Sequence, residues 1–161
     1  MNFRIGNGID CHELIPNKKL ILGGILIESK IGSSGHSDGD AVMHALVDSI
    51  LGGLSLGDIG TFFPSNEKKW KNADSSIFLD FSKQKINDCG YNVNNTDITI
   101  VLQFPYLTEY IHDIRKNIAS ILDIKMNRVS VKATTTDRLG FIGQNKGIVV
   151  FASTLLIKNG S

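Results

Sequence analysis

Residues 35–60 read GHSDGDAVMHALVDSILGGLSLGDIG, and the rest of the chain is organised around this stretch. Ser37 and Asp40 have the spacing of a capping box, which satisfies free backbone amides where a helix starts. We therefore expect a helix that begins at Ser37 or Asp38 and ends at the glycine pair 52–53. Because the first-turn amides of a helix are unpaired and its dipole is positive there, this start suits a phosphate group.

Three residues with metal-binding side chains lie within this stretch or upstream of it. Asp10 and His12 alternate at the end of an expected strand, so both project from one face, and His44 lies within two turns of the helix start. Each signal alone is weak, because a helical histidine is more often a satisfied core residue. Together, two histidines and a carboxylate suit a divalent metal with one open position. The pattern predicts a metal-assisted enzyme that acts on a phosphorylated substrate.

Size and composition narrow the class of protein. A chain of 161 residues is typical of one domain with a sizeable core, here a single catalytic domain over residues 1–161. A formal charge of +1 provides no long-range field for a polyanion, so we expect no nucleic-acid partner. The longest apolar stretch, residues 147–157, is too short to span a bilayer, so a soluble protein with no membrane partner is expected.

The chain has two cysteines, Cys11 and Cys89. Without a signal-like segment, a disulfide framework is not expected. Cys11 lies between two candidate ligands, but on a strand it points to the opposite face from them. We expect it to be a packed core cysteine rather than a ligand, and we expect Cys89 to face inward from a helix.

Hydrophobic periodicity and turn residues predict the remaining elements. Strands are expected at residues 3–10, 98–102, 129–133 and 148–157, with a hairpin at 20–27. Helices are expected at residues 74–90 and 107–123, and loops or turns at 30–35, 57–67 and 92–96. The fold class that follows is α+β, with helices packed on one face of a mixed β-sheet, plus a small hairpin. Because the last strand is apolar on both faces, another subunit is expected to cover the open face.

Two more groups of residues have side chains suited to phosphate chemistry. His36 and Ser37 could form a base and nucleophile, but adjacent residues rarely reach each other, so hydrogen bonding to a phosphate oxygen is the favoured role. Ser37 as a helix cap alone is compatible with this. The run of three threonines at 134–136 offers hydroxyl donors, and Asp137 offers a carboxylate for a hard cation. A strand end that closes in a turn explains that run equally well.

Four segments resemble, in the same order, those of the 2-C-methyl-D-erythritol 2,4-cyclodiphosphate synthases. They are Asp10-x-His12, residues 35–40 with His44, residues 56–60, and residues 131–136, within a likeness that covers about residues 3–158. The resemblance implies a homotrimer with active sites between neighbouring subunits. It implies a lyase of non-mevalonate isoprenoid biosynthesis, which converts 4-diphosphocytidyl-2-C-methyl-D-erythritol 2-phosphate into the cyclic diphosphate and CMP.

The resemblance also implies a role for individual residues. Zn²⁺ would bind Asp10, His12 and His44, and Mg²⁺ or Mn²⁺ would bind Asp137. His36 and Thr135 would be catalytic, by stabilising the transition state. The substrate, a cytidine diphosphate-linked small molecule, would contact Asp10, His12, His36, Ser37, Asp58, Ile59, Gly60, Phe63, Pro64, Ser65, Asn66, Glu67, Leu102, Gln103, Phe104, Pro105, Tyr106, Leu107, Thr108, Thr134, Thr135, Thr136, Asp137, Phe141 and Gln144.

Three of these positions depart from the family pattern. Asp137 stands where a glutamate is usual, Gln144 stands where a phosphate-contacting arginine is usual, and Ser65 stands where an acidic residue is usual. Lys146 lies close enough in sequence to replace the missing arginine. None of the three is an expected zinc ligand, so the expected reaction class is unchanged. The three departures affect only the expected affinity for the second metal and the turnover rate.

Two other functions are compatible with the same residues. One is a zinc phosphodiesterase that uses metal-bound hydroxide on a nucleotide. The other is a non-catalytic nucleotide-binding trimer with a structural metal, although such a site usually has four protein ligands and only three are evident. The Asn- and Lys-rich composition fits an AT-rich genome. The expected location is cytoplasmic in a bacterium, or a plastid if the source has one and a transit peptide was removed.

Overall fold

Helices and strands alternate irregularly along the computed structural model, which describes residues 2–160. The strands are β1 (Phe3–Pro16), β2 (Leu20–Leu22), β3 (Ile25–Ile27), β4 (Ile31–Ser34), β5 (Tyr91–Val101), β6 (Val129–Thr134) and β7 (Gly147–Lys158). The α-helices are α1 (Ala41–Gly53), α2 (Ile59–Phe62), α3 (Ser76–Asp88), α4 (Ile111–Leu122) and α5 (Gly140–Gly143). Within residues 2–160, none of the helices has the length and apolar character needed to cross a membrane.

Five strands form one mixed sheet in the order β4-β1-β7-β5-β6, in which β5 and β6 run parallel and the other neighbours run antiparallel. Strands β2 and β3 form a separate hairpin, whose turn residues Gly23 and Gly24 both have positive φ. Such angles are those of a type I′ turn, which glycine adopts readily. Helices α1, α3 and α4 pack on one face of the sheet. The predicted α+β fold and hairpin are confirmed.

Two glycines of β1 allow α1 to lie directly against the sheet. A Cβ atom at Gly6 would lie 1.9 Å from the Ser49 carbonyl oxygen, and one at Gly8 would lie 2.0 Å from the Ala45 carbonyl oxygen. Both distances are far shorter than a van der Waals contact, so a side chain at either position would push the helix away. The close approach brings His44 of α1 next to Asp10 of β1.

The start of α1 differs from the prediction. The helix begins at Ala41, and its N-cap is Asp40, whose carboxylate accepts the Val42 and Met43 amides at 3.0 Å each. The predicted start at Ser37 or Asp38 is therefore wrong. Because Asp40 already occupies two amides of the first turn, the prediction of a helix start open to phosphate is also wrong.

Two segments expected to be irregular are strands. Residues 31–34 form β4, which pairs with residues 13–16 of β1. Residues 92–96 belong to β5 and pair with β7, with a register shift between Val93 and Asn95. Local turn propensity suggested loops, but pairing with a partner strand overrides weak local preference. The last strand of the sheet, β7, is confirmed at Gly147–Lys158.

The helices also begin and end close to the expected positions, with two corrections. Helix α3 is confirmed, whereas α4 begins at Ile111 rather than residue 107. The apolar spacing extends further because Leu107 is buried in the core from a turn that precedes the helix. Residues 59–62, expected to be loop, form the short helix α2.

The face of the sheet opposite the helices carries exposed apolar side chains. Ile5 is 67% exposed, Ile9 is 60% exposed and Phe151 is 44% exposed. Cys11 points to this face, as its spacing predicted, but it is exposed rather than packed in a core. Cys89 is exposed as well, so its predicted inward orientation is wrong. Strand periodicity separates the two faces without showing which of them a chain's own helices cover.

Candidate metal centre and substrate site

The three candidate metal ligands meet at one point between β1 and α1. Asp10 Oδ2 lies 2.6 Å from His12 Nε2 and 3.1 Å from His44 Nδ1. The two nitrogens are 3.2 Å apart. One ligand atom from each residue thus lies within 4.8 Å of the others, close enough for all three to contact one divalent ion. The side chains are only 10% to 23% exposed, so water competes little for the site.

The nitrogens that face away from this point also have partners. His12 Nδ1 lies 3.0 Å from the Ser34 carbonyl oxygen, to which it can donate, so Nε2 of the neutral ring can bind an ion. His44 Nε2 lies 2.9 Å from Ser37 Oγ and 3.0 Å from Ser75 Oγ. Outer hydrogen bonds of this kind orient metal-binding histidines in proteins. The donor set and its support therefore fit a divalent ion such as zinc.

Neighbouring hydrogen bonds and charges keep the Asp10 carboxyl group ionised. Burial tends to raise the pKa of Asp10, but hydrogen bonds from His12 and His44 and their charge outweigh it and hold that pKa below its usual range. Burial tends to lower the pKa of His12, but its hydrogen bond to Asp10 and the attraction of that carboxylate raise it overall. Asp10 therefore offers a carboxylate to a cation at neutral pH.

A small cavity of about 180 Å³ lies beside His44, one of the three candidate ligands. Aromatic rings form one wall, where Phe63 packs against Phe78 at 4.4 Å and against Trp70 at 4.9 Å between ring centroids. The remaining lining residues are His36, Ser37, His44, Ile59, Gly60 and Ser65. The cavity thus combines an apolar wall with polar groups next to the ligands, which is the usual character of a small-molecule site.

The loop that lines this cavity is fixed to α1. Asp48, one turn after His44, accepts the Ile59 amide at 2.7 Å, and burial raises the pKa of its carboxyl. Asp58 caps α2, and hydrogen bonds from the Thr61 hydroxyl and amide lower its pKa. His36 Nε2 lies 3.2 Å from the Glu67 carbonyl oxygen, which is at the other end of the loop.

A second group of predicted residues surrounds another cavity, of about 340 Å³, at the ends of β5 and β6. Its lining residues are Leu102, Pro105, Tyr106, Leu107, Thr108, Ile111, Ala133, Thr134 and Thr135. The Leu102 amide donates to the Thr134 carbonyl oxygen at 3.0 Å, and the Gln103 side-chain oxygen accepts the Arg138 amide at 3.0 Å. These bonds tie the segment after β5 to the threonine loop after β6.

The carboxylate of Asp137 lies in this threonine loop and is exposed. Both Asp137 and Arg138 have positive φ, 50° and 67°, so the backbone turns sharply here. The Thr135 hydroxyl lies 3.4 Å from Asp137 Oδ1. Phe141, 48% exposed, belongs to α5, and Gln144 follows that helix. The loop therefore presents hydroxyl and carboxylate oxygens at the surface, next to the second cavity.

The two groups of residues are separated within one chain. Asp10 pairs with Val150, which pairs with Ile100, which pairs with Ala133, so the metal ligands and the threonine loop lie at the same level of the sheet. They are three strands apart, roughly 14 Å at the usual strand spacing. The structure thus brings the predicted residues together as two clusters, one at β1 and one at β6.

A family model described as the YgbB family matches residues 3–157. This chain belongs to the YgbB family. Its 2-C-methyl-D-erythritol 2,4-cyclodiphosphate synthase relative from Nostoc punctiforme is 46% identical over 155 residues, which is 96% of this chain and 97% of the relative. The resemblance found in the four sequence motifs is confirmed.

Solved structures of YgbB relatives have the same fold. IspF of Plasmodium falciparum, solved as a CDP complex, is 40% identical with a TM-score of 0.88, over 99% of this chain and 98% of that one. The bifunctional IspDF from Campylobacter jejuni is 41% identical with a TM-score of 0.93, over 97% of this chain. This chain spans 42% of the length of that bifunctional protein.

Three residues near the candidate metal centre of this YgbB chain were not predicted from the sequence. Asp48 is four residues after His44, a helical spacing that places it on the same face and could have revealed it. Ser75 and Asp38 contact each other and His44 through Ser75 Oγ. They are distant in sequence, so no local pattern indicates their contact.

Proposed function

We propose that this chain, as one catalytic domain, converts 4-diphosphocytidyl-2-C-methyl-D-erythritol 2-phosphate to 2-C-methyl-D-erythritol 2,4-cyclodiphosphate with release of CMP, as a lyase of non-mevalonate isoprenoid biosynthesis. The observation that supports this most directly is the meeting of Asp10, His12 and His44, with His44 lining a small cavity, in a chain of the YgbB family. The cytoplasm of a bacterium, or a plastid, is its expected location.

In this reaction an oxygen of the 2-phosphate forms a bond to the β-phosphorus, and the bond from that phosphorus to the CMP oxygen breaks. The nucleophile is already anionic at neutral pH, so the site needs no protein general base. Catalysis then depends on positioning and on charge stabilisation, as in other phosphoryl transfers. His36 and Ser37, which line the cavity, donate hydrogen bonds to phosphate oxygens, and Thr135 does so from the threonine loop.

Asp10, His12 and His44 would hold Zn²⁺, and Asp137 would hold Mg²⁺ or Mn²⁺. Bound cations would neutralise the charge of the diphosphate. The cavity beside the zinc ligands, with the loop 58–67, would hold the methylerythritol part. The cavity lined by residues 102–108 would hold the cytosine, and residues 134–137 with Phe141 and Gln144 would lie near the phosphates.

A homotrimer would unite the two clusters of residues. Within one chain they lie three strands apart, so the metal cluster of one subunit would face the threonine-loop cluster of its neighbour. The exposed apolar face with Ile5, Ile9 and Phe151 supports association, because monomers rarely leave such a surface open. Sites that each draw residues from two subunits follow from this arrangement.

The direct test is incubation of the purified protein with the cytidyl substrate, with products identified by ³¹P NMR. We expect a cyclic diphosphate and CMP in equal amounts. A linear phosphate product would indicate a phosphodiesterase instead. His44→Ala should abolish turnover and leave the protein folded, and wild-type turnover in that variant would contradict the metal assignment.

A further inference from the structure

His44 presents its two ring nitrogens to different surroundings. Nδ1 faces Asp10 and His12, while Nε2 lies 3.0 Å from Ser75 Oγ and 2.9 Å from Ser37 Oγ. A neutral imidazole that offers Nδ1 to a metal carries its proton on Nε2. That proton needs an acceptor with a free lone pair, so the position of the two serine hydroxyl hydrogens determines which serine supports the ring.

The Ser75 hydroxyl hydrogen is committed to a carboxylate. Ser75 Oγ donates to Asp38 Oδ1 at 2.5 Å, and the Ser75 amide donates to Asp38 Oδ2 at 3.0 Å. With its hydrogen directed at Asp38, fully buried Ser75 has lone pairs available for His44 Nε2–H. Ser75 is also the N-cap of α3, yet its side chain makes no capping bond. Because an N-cap serine usually bonds to its own helix, this hydroxyl serves another purpose.

Asp38 is itself held in place from both sides. Its amide donates to the Ala73 carbonyl oxygen at 3.0 Å, and its Oδ1 accepts the Asp40 amide at 3.1 Å. The loop before α1 and the start of α3 are therefore fixed to each other around this carboxylate. Ser37 has weaker support, since its other contacts, the Gly39 amide and Ser75 Oγ, are both at 3.4 Å.

We propose that Asp38 and Ser75 are positioning residues for the metal centre: Asp38 orients Ser75, and Ser75 accepts the Nε2 proton of His44 and so directs Nδ1 toward the ion. Ser37 remains free to donate its hydroxyl hydrogen to a ligand. The inference rests on the proposed metal site but not on the identity of the substrate.

Zinc affinity, measured by competition with a chromophoric chelator, tests this without recourse to turnover. Ser75→Ala should weaken zinc binding by about 10- to 100-fold, as loss of an outer-shell partner typically does. Asp38→Asn should weaken it less, because an amide oxygen can still accept from Ser75, and this variant keeps Ser75 if the first does not fold. Ser82→Ala, at another buried serine of α3 that donates to the Phe78 carbonyl oxygen, is the matched control and should bind zinc as the wild type does.

Histidine ¹⁵N NMR of the zinc-loaded protein provides a second measurement. The Nε2–H signal of His44 should be sharp in the wild type and in Ser37→Ala, and broadened by solvent exchange in Ser75→Ala. Wild-type affinity in both Ser75→Ala and Asp38→Asn, or weakened binding in Ser37→Ala alone, would overturn the inference. His44→Ala distinguishes failure of the proposed metal site from failure of this inference alone. If His44→Ala binds zinc as the wild type does, the proposed metal site is wrong, and this inference is wrong with it. If His44→Ala loses zinc but Ser75→Ala and Asp38→Asn bind it as the wild type does, only the inference is wrong.

Discussion

Asp40 is a fully buried carboxylate with four backbone N–H donors. Two come from the hairpin turn, Gly23 at 2.9 Å and Gly24 at 2.6 Å, and two come from the first turn of α1. Burial raises the pKa of this carboxyl to about 6, although the backbone hydrogen bonds act in the opposite direction. One side chain thus joins the hairpin to the helix that carries His44.

Asp40→Ala should strongly destabilise the protein. Four amides would lose their acceptor, and we expect the free energy of unfolding to fall by about 3 kcal/mol or more. Urea unfolding of the metal-free protein measures this. Asp58→Ala removes the exposed N-cap of α2, and its loss of stability should be clearly smaller. Equal losses in the two variants would contradict a special role for the buried carboxylate.

Asp137 is the residue that the family resemblance assigns to a second cation, at a position where the resemblance implies the longer glutamate. Asp137→Glu should lower the Mg²⁺ concentration needed for half-maximal turnover, because the longer side chain reaches further from the loop. Asp137→Asn is the control, and it should raise that concentration, since an amide is a weaker ligand for a hard cation. A magnesium titration of activity that is identical in all three proteins would remove Asp137 from the second cation site.

The close contact between α1 and β1 brings the three candidate metal ligands together. Gly8→Ala would place a methyl group 2.0 Å from the Ala45 carbonyl oxygen, so the helix must move and carry His44 away from Asp10. We expect a stability loss of about 3 kcal/mol, near the upper end for an overpacked core, together with weaker zinc binding. Gly52→Ala, in α1 on the other side of this contact, is the control, because the atom nearest to its added Cβ, the Asn7 carbonyl oxygen, is 3.8 Å away. Thermal unfolding and chelator competition should distinguish the two variants, and unchanged zinc affinity in Gly8→Ala would contradict the dependence.

The sequence predicted those elements whose signals are local. Alternation in β1 placed Asp10 and His12 on one face and Cys11 on the other, and four ordered motifs led to the correct family. Strand β4 and the first half of β5 could not be predicted, because their turn-rich residues become strands only by pairing with β1 and β7. The contact between Asp38 and Ser75 depends on how two distant loops pack, which no spacing in the chain expresses.

The whole molecule has two features that point to assembly. One is the apolar outer face of the sheet, and the other is the separation of the metal cluster from the threonine-loop cluster. If neighbouring subunits complete each site, a subunit damaged in one cluster can still contribute the other cluster intact.

Mixed trimers of two inactive variants should therefore regain activity. In a trimer that combines His44→Ala and Thr135→Ala subunits, some interfaces join an intact metal cluster to an intact threonine loop, and random mixing gives about a quarter of wild-type sites. Coexpression of the two variants, followed by the product assay, measures this, with each variant alone as the control. Absence of recovered activity in confirmed mixed trimers would mean that each site lies within one subunit.

If two subunits complete each proposed site, the three-strand gap between the clusters makes turnover depend on the protein concentration. At concentrations below the dissociation constant of such a trimer, a separated subunit would keep all its side chains but have no complete site. Specific activity should therefore decline on dilution without any inhibitor. Mutations on the outer face would then lower turnover, as mutations of Asp10, His12 or His44 are expected to do, and a compound that separates the subunits would inhibit as well as one that fills the proposed site.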